Sequence, residues 1–479
     1  MIFFYWFLLA ILLATYAAAL RHAKRNSHGL TPLLGWMVGL GFFLILPLAV
    51  LTFNGGYKQP AVYDVNGTWD EVNLASVIFL RPYLFIWLST MLTCFVAWLP
   101  ASSRLPGVAN REGAGTGDLQ TYVPVRRRLE RAILITMALA ALDWVAMIWL
   151  QGGVGQFLAS NWYTRNGDSA AGRVFVLYTR LSLTNQMIFT GAAALYASIG
   201  LKQRNTLKHR NTRWGFTSLI LLFFLIEIVM SGNRIFFALY LLAFLTSCWL
   251  YRRTRILAGL LVASPVLVLA FSLWGSIRAN LGTIPESAAV QAFEVDVGNR
   301  TVTHLMGVSE GSGVMLLMHM INDFGTKFDY LYGGTYARLF TFFLPGSRGT
   351  GQLPDFSTLA AELYEPGQAT SLGATALGEA YANFGAAGML VMPLLACLAV
   401  ACGNRMARAD GSHSLMAAVS FVMFVAFVRF PFAENALTWI AALALIWALK
   451  LEKGLELPAE RFRPLPGSGL AGSELPADG

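Results

Sequence analysis

Apolar runs of about 20 residues, each long enough to cross a ~30 Å hydrocarbon core as a helix, recur along most of this 479-residue chain. A bilayer offers no water to backbone N–H and C=O groups. A spanning segment therefore closes its hydrogen bonds internally, as an α-helix. The runs lie near 1–20, 32–53, 77–99, 132–150, 174–200, 214–231, 235–251, 256–275, 384–402, 414–430 and 436–451. They predict an all-α polytopic membrane protein with about 11 transmembrane helices. Composition agrees: 13% of residues are charged, where a soluble chain carries about a quarter.

The formal charge of +9 could suggest a nucleic-acid partner. Its distribution argues instead for a lipid bilayer and no nucleic acid. With the N-terminus outside, the inner loops and C-terminal tail hold twenty-three of the thirty-five Lys and Arg. Clusters such as Arg126-Arg127-Arg128 and Arg252-Arg253 then serve as topology signals under the positive-inside rule. Residues 1–20 lack a preceding basic segment and a small-residue cleavage site, so they read as a retained span rather than a signal peptide. Cys94, Cys248, Cys397 and Cys402 sit in or beside spans without metal-ligand or disulfide spacing. The residues after 454 are rich in Pro, Gly and acid and are expected to be disordered.

One polar stretch interrupts the pattern. The chain divides into an N-terminal transmembrane bundle of about eight spans (1–275), a large outer loop with short helices (276–375), about three C-terminal spans (376–453) and a cytoplasmic tail (454–479). Within the loop, Ser312–Asn322 has apolar spacing suited to a helix packed on the bundle, and Leu331–Leu344 reads as a second, partly buried segment. A chain that only anchored or conducted would have no need of so large an insertion. Chemistry is expected there, at one membrane face.

Arginine dominates that face: Arg165, Arg173, Arg180, Arg234, Arg278, Arg300, Arg338, Arg348 and Arg429. One arginine at a span end needs no function, because its stem snorkels to the headgroups. Several converging on one face suit a diphosphate, whose oxygens match the guanidinium fork. Asp143 and Glu227 lie inside spans, where a charge costs about 2.5–3.5 kcal/mol on insertion scales. The bland account of each is a salt bridge to an arginine. Glu379, just before a span and flanked by glycines, is the first choice for a general base; His304 and His319 are alternatives. No phosphate-cradling loop, paired metal-ligand spacing or nucleophile elbow occurs, so neither cofactor nor metal is expected.

Two motifs carry a resemblance. The first is Leu344-Pro345-Gly346-Ser347-Arg348. The second is Gly378-Glu379-Ala380-Tyr381-Ala382-Asn383-Phe384-Gly385-Ala386-Ala387-Gly388. With the arginine-bearing turn Ser231-Gly232-Asn233-Arg234 and the late outer loop, they make the chain similar to bacterial oligosaccharide repeat-unit polymerases of the O-antigen type. The resemblance implies a GT-C-like architecture in a bacterial inner (cytoplasmic) membrane, with the active site facing the periplasm. There a growing glycan on undecaprenyl diphosphate would pass to the next undecaprenyl-diphosphate-linked oligosaccharide, with a chain-length regulator as a further partner. On this reading Glu379, Arg278 and Arg338 are catalytic, and Arg165, Arg173, Arg180, Arg234, Arg348 and Tyr381 bind substrate. An O-antigen ligase is similar in architecture, but a histidine is expected shortly before the span, where this chain has Ser371 and Thr375. A lipid-linked oligosaccharide flippase would also place arginines near diphosphates, but no paired halves are visible.

Overall fold

A computed structural model describes residues 1–25, 27, 29–58, 71–98, 119–150, 153, 172–202, 210–231, 235–259, 262, 312–341, 356–364, 374–408 and 414–451. Its helices, in chain order, are α1 (Ile2–Arg25), α2 (Pro32–Leu40), α3 (Leu46–Phe53), α4 (Leu80–Ala97), α5 (Leu119–Leu150), α6 (Gly172–Lys202), α7 (Arg210–Ser231) and α8 (Ile235–Leu250). They continue with α9 (Ser312–Asp323), α10 (Gly334–Thr341), α11 (Phe356–Tyr364), α12 (Ala376–Phe384), α13 (Val391–Arg408), α14 (Ser414–Arg429) and α15 (Phe432–Ala448). A short antiparallel ribbon, β1 (Gly56–Lys58) with β2 (Glu71–Asn73), pairs Tyr57 with Val72.

The architecture is all-α and membrane-like. Among the described residues, four segments are long and apolar enough to cross a bilayer by length and composition: Ile2–Arg25, Pro32–Phe53, Val77–Ala97 and Ala376–Gly403. Shorter apolar helices occupy Gly215–Ile228, Ile235–Leu250, Leu415–Arg429 and Asn435–Ala448. The expected run at 256–275 falls almost wholly outside the described residues. The expected run at 384–402 begins earlier in the structure, because α12 already starts at Ala376.

Helix α14 forms the centre. Leu415, Ala418, Val419 and every residue from Phe421 to Phe427 have no exposed surface. A helix apolar on all sides is a core helix. Lipid tails are as apolar as leucine, so association here depends on close backbone approach rather than on expelling water. Glycines provide that approach. A Cβ on Gly35 of α2 would stand 2.3 Å from the carbonyl oxygen of Phe421. One on Gly39 would stand 2.8 Å from that of Val425, and one on Gly191 of α6 would stand 2.4 Å from a methyl of Val419. Between α2 and α3 the chain widens into one π-helical stretch, Gly41–Ile45. Tyr16 lies against Gly41 and donates its hydroxyl to the Met37 carbonyl at 2.9 Å, sharing that acceptor with the Gly41 N–H.

The bundle has two chemically different ends. Helices α1 and α4 run parallel: Tyr83 Oη donates to the Tyr5 carbonyl at 3.3 Å and Trp87 Nε1 to that of Leu8 at 2.8 Å. At their C-terminal end Lys24 Nζ donates to the Trp249 carbonyl at 3.0 Å. Arg253 Nε caps the Leu201 carbonyl at 2.9 Å, and Arg126 pairs with Glu130 at 2.7 Å. The opposite end carries the ribbon, the start of α4, and α9, which packs on both α4 and α12.

Candidate functional site

The second motif lies on α12 and the turn that follows it. Thr375 opens the helix, its Oγ1 accepting from Gly378 N at 3.1 Å, an N-terminal cap that satisfies one unpaired donor of the first turn. The helix stops at Gly385, whose φ of +58° puts it in the left-handed region that favours glycine. A side chain at Gly385 would also strike the ring of Tyr330 at 3.1 Å. The chain then turns tightly through Gly385–Leu390. There a Cβ on Gly388 would stand 2.4 Å from the Ala380 carbonyl oxygen. These glycines make a break in which α12 and α13 are separate helices held in one apolar segment.

The polar residues of the motif point into the junction. Glu379, 1% exposed, accepts from the backbone nitrogens of Phe432 at 2.7 Å and Ala433 at 3.3 Å. It therefore caps α15, whose own first flanking residue, Pro431, supplies no side-chain cap. A carboxylate there meets both unpaired N–H groups and the positive end of the helix dipole. Asn383, also 1% exposed, donates through Nδ2 to Thr335 Oγ1 and to the Glu379 carbonyl, each at 2.7 Å. Leu331 N donates to the Ala382 carbonyl at 2.9 Å. Thus α10 is fastened to α12, and Arg338 follows Thr335 by one helical turn.

Tyr381, 1% exposed, turns the other way, toward α4. Its Oη accepts a hydrogen bond from Nη2 of Arg81, whose Cζ lies 6.0 Å from its ring centroid. The rings of Phe85 at 4.9 Å and Tyr330 at 6.1 Å hold Tyr381 edge-on. On the α10 side, the Tyr336 hydroxyl is buried and has no hydrogen-bond partner among the described residues. Its ring stacks on Phe384 at 5.4 Å. Burial pushes its pKa well above the ordinary tyrosine value, and the Glu379 charge adds to the effect, so Tyr336 keeps its proton.

The other sequence-derived residues are placed as follows. Arg165, Arg234, Arg278, Arg300, Arg348 and His304 lie outside the described residues. Arg173 and Arg180 belong to the first three turns of α6 and Arg338 to α10, by backbone only. Arg429 is 5% exposed at the end of α14, with its Cζ 5.4 Å from the Phe430 ring centroid. Glu227, 2% exposed, receives a hydrogen bond from the Gln186 amide of α6. His319 sets Nε2 3.1 Å from the Glu71 carbonyl oxygen and its ring edge-on to Phe79. Burial lowers its pKa, making it a neutral tie between α9 and the ribbon. Among the described residues no three His, Cys, Asp or Glu side chains cluster as metal ligands would.

Two corrections follow for the sequence reading. Glu379 does not lie just before the apolar segment; it is buried within Ala376–Gly403. Arg81 also belongs to the junction, although in the sequence it lies within the apolar run 77–99, where a single charge is masked by its neighbours. Its signal was a cation in the first turn of a span beside Pro82.

The arrangement offers an exposed cation at the start of α4 held by Tyr381, a buried carboxylate that caps α15, and an arginine-bearing helix clipped to α12. Comparison of the chain with protein-family models, curated proteins and solved structures finds no match.

Proposed function

We propose that this chain is a polymerase of undecaprenyl-diphosphate-linked oligosaccharide repeat units, a glycosyltransferase working at the periplasmic face of a bacterial inner membrane. In this reading eleven helices span the membrane with the N-terminus outside. Residues 276–375 lie on the periplasmic side in a GT-C-like arrangement. The observation that carries the proposal is the fastening of α10 to the motif helix by Asn383 and Thr335. That contact joins the helix that carries Arg338 in its sequence to the helix that carries Glu379, which supports the reading.

The chemistry follows from charge. The bond between the donor's anomeric carbon and its diphosphate breaks, and the electron pair leaves with the diphosphate. Preorganised guanidinium groups are suited to that developing charge; Arg278 and Arg338 take this role, with Arg234 and Arg348 binding the same diphosphate. Arg165, Arg173 and Arg180 hold the second lipid diphosphate. A sugar hydroxyl of the next unit bonds to the anomeric carbon and gives up its proton. Glu379 is assigned as the acceptor of that proton, a role typically worth 10²–10⁴-fold.

The test is the length distribution of surface glycan in a host lacking this gene. Glycan capped with a single repeat unit is the expected result. Lipid-linked single units trapped inside the cell would mean a flippase, and long chains left on undecaprenyl diphosphate would mean a ligase.

A further inference from the structure

Arg81 belongs to none of the arginines just assigned, and its surroundings single it out. It is exposed, yet its guanidinium is tied to Tyr381, three hundred residues away in sequence and itself buried. An arginine that merely snorkels needs only water and headgroups; fixing it to a partner sacrifices side-chain freedom. Among the described residues no carboxylate pairs with it. One nitrogen of the fork serves Tyr381, and the outer N–H groups are left for an anion.

Below Arg81 the same face of α4 is apolar and exposed. Leu88 and Phe95 follow at successive seven-residue steps, 39% and 58% exposed. Seven residues return a helix to the same face with a drift of about 20°, so the three form one stripe running about 21 Å along the helix. Val77 and Ile78, 69% and 66% exposed, rim the start of the stripe. A fixed cation above an apolar track of that length complements an amphiphile with an anionic head and a long hydrocarbon tail.

We propose that Arg81, braced by Tyr381, binds the diphosphate of the polyprenyl carrier lipid, with the polyprenyl chain lying along the Arg81–Leu88–Phe95 stripe. The choice of a diphosphate carrier over bulk phospholipid rests on the function proposed above. The neighbouring α10, clipped to α12 through Thr335, carries a second arginine in its sequence, Arg338. Tyr381 is a positioning residue: it aims the guanidinium and does not itself meet the lipid.

The experiment measures binding of sugar-free undecaprenyl diphosphate to the full chain in lipid nanodiscs, without elongation. Arg81→Gln is expected to weaken binding by roughly tenfold or more, the scale of a lost charge-assisted hydrogen bond. Arg81→Lys should retain part of the affinity, since it keeps the charge and loses the fork. Tyr381→Phe should weaken binding several-fold, with an unfolding temperature close to wild type. Excess phosphatidylglycerol should fail to displace the probe. Equal binding by wild type and Arg81→Gln would overturn the assignment, and so would displacement by phosphatidylglycerol at matched concentration. Arg81-dependent binding in a protein whose gene deletion leaves glycan length unchanged would sink the polymerase reading and leave this site standing.

Discussion

The carboxylate of Glu379 lies 2.7 Å from the backbone nitrogen of Phe432, fifty-three residues further on. One side chain of the motif thereby starts the last described helix, and any chemical role for Glu379 is coupled to that structural one. Glutamine separates the two, because its amide oxygen can accept the same hydrogen bonds but cannot take a proton.

Glu379→Gln is expected to preserve α15 and to abolish elongation. Glu379→Ala should also destabilise the protein by about 0.5–2 kcal/mol, the usual cost of losing a helix cap. Thermal unfolding in detergent and glycan length in cells read the two effects apart. A Gln variant that still makes full-length chains would remove Glu379 from proton transfer.

Arg278→Ala and Arg338→Ala should each stop elongation while the protein stays in the membrane at its normal level. Asn383→Ala should reproduce the loss for Arg338 by a different route, releasing α10 from α12. Trypsin should then cut faster after Lys327 in the Asn383 variant than in wild type. Full-length chains from both arginine variants would refute their roles, and unchanged proteolysis would refute the clip.

Gly35→Ala should cost about 1–3 kcal/mol or more, as overpacking does where atoms cannot withdraw. Its new methyl would meet the backbone oxygen of Phe421 at 2.3 Å. Gly200→Ala, with nothing within 4 Å of the added carbon, is the matched control. Unfolding temperatures that drop equally in the two variants would contradict the seating of α14.

The pH dependence of stability should carry a signature of His319. Its folded pKa lies below the ordinary 6.5 because burial penalises the charged ring. Below about that pH the unfolded chain binds the extra proton, so stability is lost as pH falls. Wild-type protein should therefore melt at lower temperature at pH 5 than at pH 7. His319→Gln should show a smaller drop, and an identical drop would exclude His319 as its source.

Much of the architecture was legible because it depends on length and polarity. The helices at Ile2–Arg25, Pro32–Phe53 and Val77–Ala97 follow from apolar runs of spanning length, and a run that long in lipid has little alternative to a helix. The amphipathic segment beginning at Ser312 was readable from its spacing and appears as α9. At the site, the sequence singled out Glu379 as a candidate base just before a span, and the motif resemblance singled out Tyr381. It could not assign their partners. Arg81 was hidden in an apolar run, and its significance depends on a tyrosine three hundred residues away.

Local sequence alone determined that the chain is helical, membrane-like and punctuated by glycine where α12 must end, because backbone satisfaction and backbone sterics act over a few residues. The tertiary structure decided that Glu379 caps α15, that Asn383 clips α10 and that Tyr381 braces Arg81. Each of these rests on one or two directional hydrogen bonds between remote segments. Hydropathy and spacing are blind to such bonds, since they exist only once packing has brought donor and acceptor within about 3 Å.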